Sequence, residues 1–194
     1  TDEIVVHSPT PSSTKTYIGA AAEDATIAAV YGQLVVDGTS HGVHVALVPL
    51  RDGQGRPLPG VTLGDNGHKG GLLGVDNGTI SFDGVRVPRA MLLSRYGGID
   101  DEGRYVSDID SAGRRFFTML GTLVRGRICV AAGGSAAVRK ALSVATRYAL
   151  RRRQFERPGG EGEVVLLDYL AHQRKLMPAI ATAYAHRVAV NELI

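Results

Sequence analysis

The sequence predicts an α+β fold: an antiparallel β sandwich or barrel portion followed by a long antiparallel helical hairpin, half of a four-helix bundle. Three observations carry this expectation. Residues 1–100 hold short runs rich in Val, Ile, Thr and Tyr between dense Gly/Asp/Asn turns. The composition changes after about residue 103. Beyond it, apolar residues recur at steps of four and three in two long stretches with a Pro/Gly break between them.

In the first part, Thr16–Ile18, Ala25–Val36, Val43–Pro49, Thr79–Phe82 and Val85–Val87 read as strands. Asp37-Gly38, Asp52-Gly53, Asp65-Asn66-Gly67, Asp76-Asn77-Gly78 and Asp83-Gly84 supply the residues that tolerate positive φ, so each reads as a turn. Turns at this density favour antiparallel strands over βαβ units. Ala20–Ala29 suits strand and helix alike.

From Phe116 to Leu150 the residues Val124, Ile128, Ala131, Ser135, Val138, Leu142, Ala145 and Ala149 draw one stripe down a helix. Gly126, Ala132, Gly133, Gly134, Ala136 and Ala137 flank it, which suits close approach of a second helix. Glu156–Glu163 contains Pro158, Gly159, Gly160 and Gly162 and reads as a loop. A second helix is expected from about Val164 to the end, with Leu166, Leu170, Gln173, Met177, Ile180, Tyr184 and Val188 as its stripe and Pro178 as a kink. Two such helices joined by a loop form an antiparallel hairpin. Its second apolar face needs a further segment or a second subunit, and the chain reads as a piece of a longer one.

Several functions are disfavoured by composition. The chain has 194 residues, 44% of them hydrophobic, a net charge of +3 and one cysteine. With a single Cys129 in an apolar helical pattern, neither a disulfide framework nor a thiolate metal site is expected. Basic residues gather at Arg151 to Arg153, with a looser scatter at Arg114, Arg115, Arg125 and Arg127, which suits a local anion site and no nucleic-acid surface. No run of about 18 uninterrupted apolar residues marks a membrane span. His41 and His44 are three apart, and on a regular strand they point to opposite faces, so no metal is expected there. The glycines of Gly64–Gly78 match neither a P-loop nor a dinucleotide fingerprint.

Arg151-Arg-Arg-Gln-Phe155 is the stretch with the clearest chemistry. Guanidinium forks hold phosphates, and an aromatic ring stacks on a base. Cations in the last turn of a helix also stabilise it by roughly 0.3–1 kcal/mol each through the helix dipole, so the cluster has a structural use as well.

Four blocks of residues carry a family resemblance. They are Lys15-Thr16-Tyr17-Ile18-Gly19 with its alanine run; His41-Gly-Val-His44 leading to Val48-Pro49-Leu50-Arg51-Asp52; Gly64-Asp65-x-Gly67-x-Lys69-Gly70 through Asp76-Asn77-Gly78 to Phe82-x-x-Val85-Arg86-Val87-Pro88-Arg89; and Gly126-Arg127 through Tyr148 to Arg151-Arg152-Arg153-Gln154-Phe155. Asp168-Tyr169 to His172-Gln173, with Leu176-x-Pro178, adds a fifth. Over nearly all its length the chain resembles the acyl-CoA oxidase branch of the acyl-CoA dehydrogenase flavoprotein superfamily.

That resemblance implies a partial middle β domain over 1–103 and a partial C-terminal α domain over 104–194. It implies FAD as cofactor, held by Arg152, Gln154 and Phe155 at its pyrophosphate and adenosine portion, usually across a homodimer contact, with Tyr17 and Gly19 on the strand beside the flavin ring. Arg127 matches a substrate-binding arginine near the thioester. Dehydrogenases commonly place Thr or Ser where Gly19 stands, and glycine there follows the oxidase pattern. The implied reaction is desaturation of a fatty acyl-CoA to trans-2-enoyl-CoA, with molecular oxygen as acceptor and hydrogen peroxide as product. The expected catalytic Glu lies outside the chain, so no catalytic residue is assigned. The implied location is peroxisomal in a eukaryote and cytoplasmic in a bacterium. Two other readings remain: an acyl-CoA dehydrogenase serving an electron-transfer flavoprotein, and a non-catalytic helical assembly module.

Overall fold

A computed structural model describes residues 2–160 and 162–194 and bears out the mixed fold class, with antiparallel sheets first and long helices after. Contacts divide the chain into two compact units, Thr1–Met119 and Leu120–Ile194.

The first unit carries β1 (Glu3–Val6), β2 (Lys15–Gly19), β3 (Ile27–Val36), β4 (Thr39–Pro49), β5 (Val61–Asp65), β6 (Asn77–Phe82), β7 (Val85–Pro88), β8 (Gly98–Ile99) and β9 (Tyr105–Val106). Every pairing is antiparallel: β2-β6-β5 as a three-stranded sheet, and β1 with β7, β3 with β4, β8 with β9. β3 and β4 form the long hairpin, closed at Asp37-Gly38, where both residues have positive φ as the tight turn requires. Alternate residues of β6 point inward, so Gly78, Ile80 and Phe82 are buried. Ile80 and Phe82 join Val30, Ala46, Val48, Leu50, Val61 and Val87 in the core, each large side chain contributing roughly 1.5–3 kcal/mol.

Two sequence expectations need correction here. Asp76-Asn77-Gly78 is not a hairpin turn. Asn77 and Gly78 already belong to β6 and pair with Gly19 and Ile18 on one side, while Asp65 faces Gly78 on the other. The change of composition near residue 103 also precedes the change of structure, since Tyr105–Val106 is still strand and the first helix, α1, spans Ala112–Leu120.

The second unit is built on α2 (Val124–Arg151) and α3 (Leu170–Leu193), which pack together. A 3-10 turn at Gly121–Leu123 breaks the helical pattern expected without interruption from Phe116. α3 begins later than the expected Val164, because β11 (Glu163–Val165) pairs with β10 (Arg153–Glu156) and a 3-10 turn follows at Leu166–Asp168. The expected loop after Phe155 is therefore the tip of a short hairpin, and Glu161 within it lies outside the described residues. The buried residues of α3 are Leu176, Ala183 and Val190, one every seven residues, against Ser135 and Ala149 of α2. Of the expected stripe, Leu170, Met177, Tyr184 and Val188 are exposed. A single partner helix covers a seam narrower than the full apolar face of an amphipathic helix. Pro178 lies inside α3, where it removes the N–H that would bond the carbonyl of Arg174.

By length and composition alone, the helical stretch Ala112–Arg151 is long and apolar enough to cross a membrane. Arg125, Arg127, Arg139 and Lys140 interrupt it, and the uncharged stretch Ile128–Val138 is far short of the roughly 20 apolar residues a span needs.

Candidate functional site

The basic cluster sits where α2 ends. Arg151 is the last helical residue and Arg152 the C-cap, its backbone extended and its N–H donated to the Tyr148 carbonyl at 2.8 Å. The carbonyl of Arg152 accepts from Leu166 N–H at 2.8 Å, so the hairpin of β10 and β11 is sealed onto the helix end. Arg153 directs one guanidinium N–H to the Glu163 carbonyl at 3.3 Å. Tyr169 donates its phenol to the Gln154 carbonyl at 2.5 Å, which fixes that backbone while the Gln154 side chain stays exposed. Phe155 adopts a left-handed backbone (φ 61°) and presents its ring 69% exposed. Neither Arg152 nor Gln154 spends its side chain on an ion pair or hydrogen bond among the described residues, and both are exposed. Arg127 is exposed on α2 and enters no ion pair among the described residues.

The other predicted residues lie in the first unit. Tyr17 and Gly19 are on β2, whose pairing with β6 is irregular between Lys15 and Ile18. Tyr17 takes a left-handed backbone (φ 56°), donates its N–H to Asn66 Oδ1 at 3.0 Å and leaves its ring 66% exposed. Around Gly19 no heavy atom lies within 4 Å of the point a Cβ would occupy.

Sequence reasoning missed two polar constellations here. The first holds the turn that follows β2. Asp76 accepts the amides of Ala22 (3.0 Å), Glu23 (3.0 Å) and Asp24 (3.3 Å), and these bonds, that from Glu23 foremost, with the Arg51 charge hold its carboxyl below its ordinary range. Arg51 takes the same turn by its carbonyls, at Ala25 (2.6 Å), Ala21 (2.9 Å) and Ala22 (2.7 Å). Both residues stand in the blocks that carry the family resemblance, which was the available signal, but Asp76 reads there as part of a turn.

The second constellation uses the two histidines. Gly42 between them has φ +84° and the β3–β4 register shifts beside it, so the two rings do not diverge as on a regular strand. His41 stacks on Tyr105 at 3.9 Å between centroids, and buried His44 meets the same ring edge-on. His44 Nδ1 lies 3.1 Å from the Gly42 carbonyl and Nε2 3.1 Å from the Tyr105 hydroxyl. Arg115, buried, closes the cluster: it donates to the carbonyls of Ile109 and His41 at 2.6 Å and lies over the Tyr105 ring. The scattered arginines of the sequence thus include one that is wholly structural. Burial lowers the pKa of His44, with the charges of Arg115 and His41 acting in the same sense.

Comparison with known proteins gives these residues a context. Residues 120–194 match the domain family described as acyl-CoA oxidase, C-alpha1 domain. Peroxisomal acyl-coenzyme A oxidase 3 of Arabidopsis thaliana is 42% identical over 193 residues, covering 100% of this chain and 29% of that protein. Among solved structures, the tomato (Lycopersicon esculentum) acyl-CoA oxidase superimposes with a TM-score of 0.82 at 40% identity, covering 100% of this chain and 30% of its own. Acyl-CoA oxidase-1 of Caenorhabditis elegans, complexed with FAD and ATP, gives 0.77 at 34% identity over 98% of this chain and 28% of its own. The chain thus spans under a third of the length of these relatives. Alike to them from end to end in both sequence and fold, it belongs to the acyl-CoA oxidase family.

Proposed function

We propose that this chain is the part of an FAD-dependent acyl-CoA oxidase that supports the cofactor, in an enzyme converting fatty acyl-CoA to trans-2-enoyl-CoA with molecular oxygen as acceptor and hydrogen peroxide as product. The observation that carries this is the identity of about 40% with acyl-CoA oxidases along the whole chain, together with a solved relative that holds FAD. The donor set fits the cofactor: Arg152 and Gln154, whose side chains have no partner among the described residues, suit its pyrophosphate, and the exposed ring of Phe155 suits its adenine. Tyr17 and Gly19 on β2 line the flavin ring, and Arg127 serves the thioester end of the substrate. FAD, when bound, supplies the electron acceptor for the β-hydrogen. In this reading, 1–103 belongs to a middle β domain and 104–194 to a C-terminal α domain of a homodimer, peroxisomal in a eukaryote and cytoplasmic in a bacterium.

The deciding measurement is peroxide release by the full-length flavoenzyme with a fatty acyl-CoA in air. Peroxide formed at the rate of turnover is expected; activity that appears only with an added electron-transfer flavoprotein makes the enzyme a dehydrogenase, and a colourless protein that takes up no FAD makes it an assembly module. Within the same enzyme, Arg152→Ala is expected to weaken FAD binding by about 1.5–3 kcal/mol, the worth of a charge-assisted hydrogen bond, in a fluorescence titration of the apoenzyme.

A further inference from the structure

We propose that Asp76 is a positioning residue for the flavin: its carboxylate, by taking three successive amides of the turn after β2, fixes where Tyr17 and Gly19 stand. This rests on the proposed FAD role of β2.

The stretch from Tyr17 to Asp24 is irregular where it matters. Tyr17 and Ala20, on either side of Gly19, both adopt left-handed φ (56° and 62°), a conformation that L side chains disfavour and that persists when the surroundings hold it. The hold comes from the loop between β5 and β6, residues 66–76. Asn66 Oδ1 takes the Tyr17 amide, the Asp76 carbonyl takes the Ala20 amide at 3.0 Å, and the Asp76 carboxylate takes those of Ala22, Glu23 and Asp24. Gly78 lets the backbones close, since a Cβ there would stand 2.5 Å from Ala22 N and 2.6 Å from Gly64 O. Lys69 Nζ steadies the loop from behind through Asn77 Oδ1 at 2.6 Å and the Val75 carbonyl at 2.5 Å.

The polarity is matched at both ends of the turn. A carboxylate collects the amides, and the Arg51 guanidinium collects the carbonyls of Ala21, Ala22 and Ala25. Among the described residues Arg51 also bonds only backbone, so neither charge is used for ordinary surface pairing there. Among the described residues the Asp76 carboxylate bonds the amides of Ala22, Glu23 and Asp24 and neither Tyr17 nor Gly19, so it acts on them through the turn. Preorganising a strand beside a cofactor raises affinity by removing the ordering cost from the binding step.

The test compares flavin binding with stability in the full-length enzyme. Asp76→Ala is expected to raise the FAD dissociation constant about tenfold and to change the visible circular dichroism of bound flavin, with faster amide exchange at Ala22–Asp24. Asp76→Asn, which keeps the shape and one acceptor oxygen, is expected to fall between and carries the test if the alanine variant does not fold. Val87→Ala, a core change on β7, serves as the comparison: it lowers thermal stability and leaves the flavin spectrum as in wild type. Wild-type FAD affinity and dichroism in the Asp76 variants, despite faster exchange of the turn, would overturn the inference while leaving the proposed function intact. A wild-type enzyme that binds no FAD would instead remove the proposed function, and the inference with it.

Discussion

Gly19 needs no glycine for its own backbone or packing. Its φ lies outside the left-handed region, and a Cβ would meet nothing within 4 Å, whereas Tyr17 and Ala20 beside it do adopt left-handed φ and are not glycine. In the proposed reading, the space that glycine leaves open at this position lies beside the flavin and serves oxygen. Gly19→Thr is therefore expected to fold with stability within about 0.5 kcal/mol of wild type, since nothing is displaced. It is also expected to slow reoxidation of the reduced enzyme by oxygen about tenfold, or roughly 1.4 kcal/mol in the barrier. Stopped-flow mixing of the reduced enzyme with oxygenated buffer measures this, and an unchanged rate would show that the open space does not serve oxygen. Phe155 is, after Tyr17, the second non-glycine residue among the proposed cofactor contacts with a left-handed backbone, so strain and proposed function coincide in both units.

At the scale of elements, β3, β4, β6 and β7 were legible because alternation and turn residues agree there, and the Asp37-Gly38 hairpin is read directly from its two residues. β1 and β5 escaped because their partners are distant in sequence, Glu3 pairing with Pro88 and Val61 with Phe82, and β8 and β9, which pair with each other, escaped because each is only two residues long. Helical periodicity placed α2 and α3 correctly as elements but misplaced the seam by one residue, because the period cannot tell which edge of a wide apolar face meets the neighbour. The distinction is measurable. Leu176→Ala removes a buried side chain from the seam and is expected to destabilise the second unit by about 2–5 kcal/mol in chemical unfolding. Met177→Ala, next in sequence on the exposed face, is expected to cost this chain far less. Equal losses at the two positions would mean that the unit packs on the stripe the sequence suggests.

Over the whole chain, the residues proposed for ligand contact come from motif blocks, whereas those that hold the first unit in shape were not legible, since Asp76, Arg51, His44 and Arg115 act through backbone groups and one ring far away in sequence. Arg115 bonds the His41 carbonyl, and His44 meets Tyr105, so the end of the first unit is tied to β4 across more than 60 residues. That tie has a pH dependence with a definite sign. Neutral His44 satisfies both ring nitrogens, one toward the Gly42 carbonyl and the other toward the Tyr105 hydroxyl. The protonated ring would place a second N–H on that hydroxyl and a charge near Arg115. Its folded pKa is lowered from the ordinary value of 6.5, first by burial, so the unfolded chain binds the proton more tightly. The stabilisation is then complete above pH 6.5 and is lost as pH falls through the lower folded value, by about 1.4 kcal/mol for each tenfold difference in proton affinity. Amide exchange at Ile99 and Val106, on the paired strands β8 and β9, taken relative to the intrinsic rate, which itself slows as pH falls, should accelerate from pH 7 to pH 5. His44→Asn should exchange faster at pH 7 and lose that added acceleration; if it keeps the wild-type slope, another group carries the acid sensitivity of the first unit.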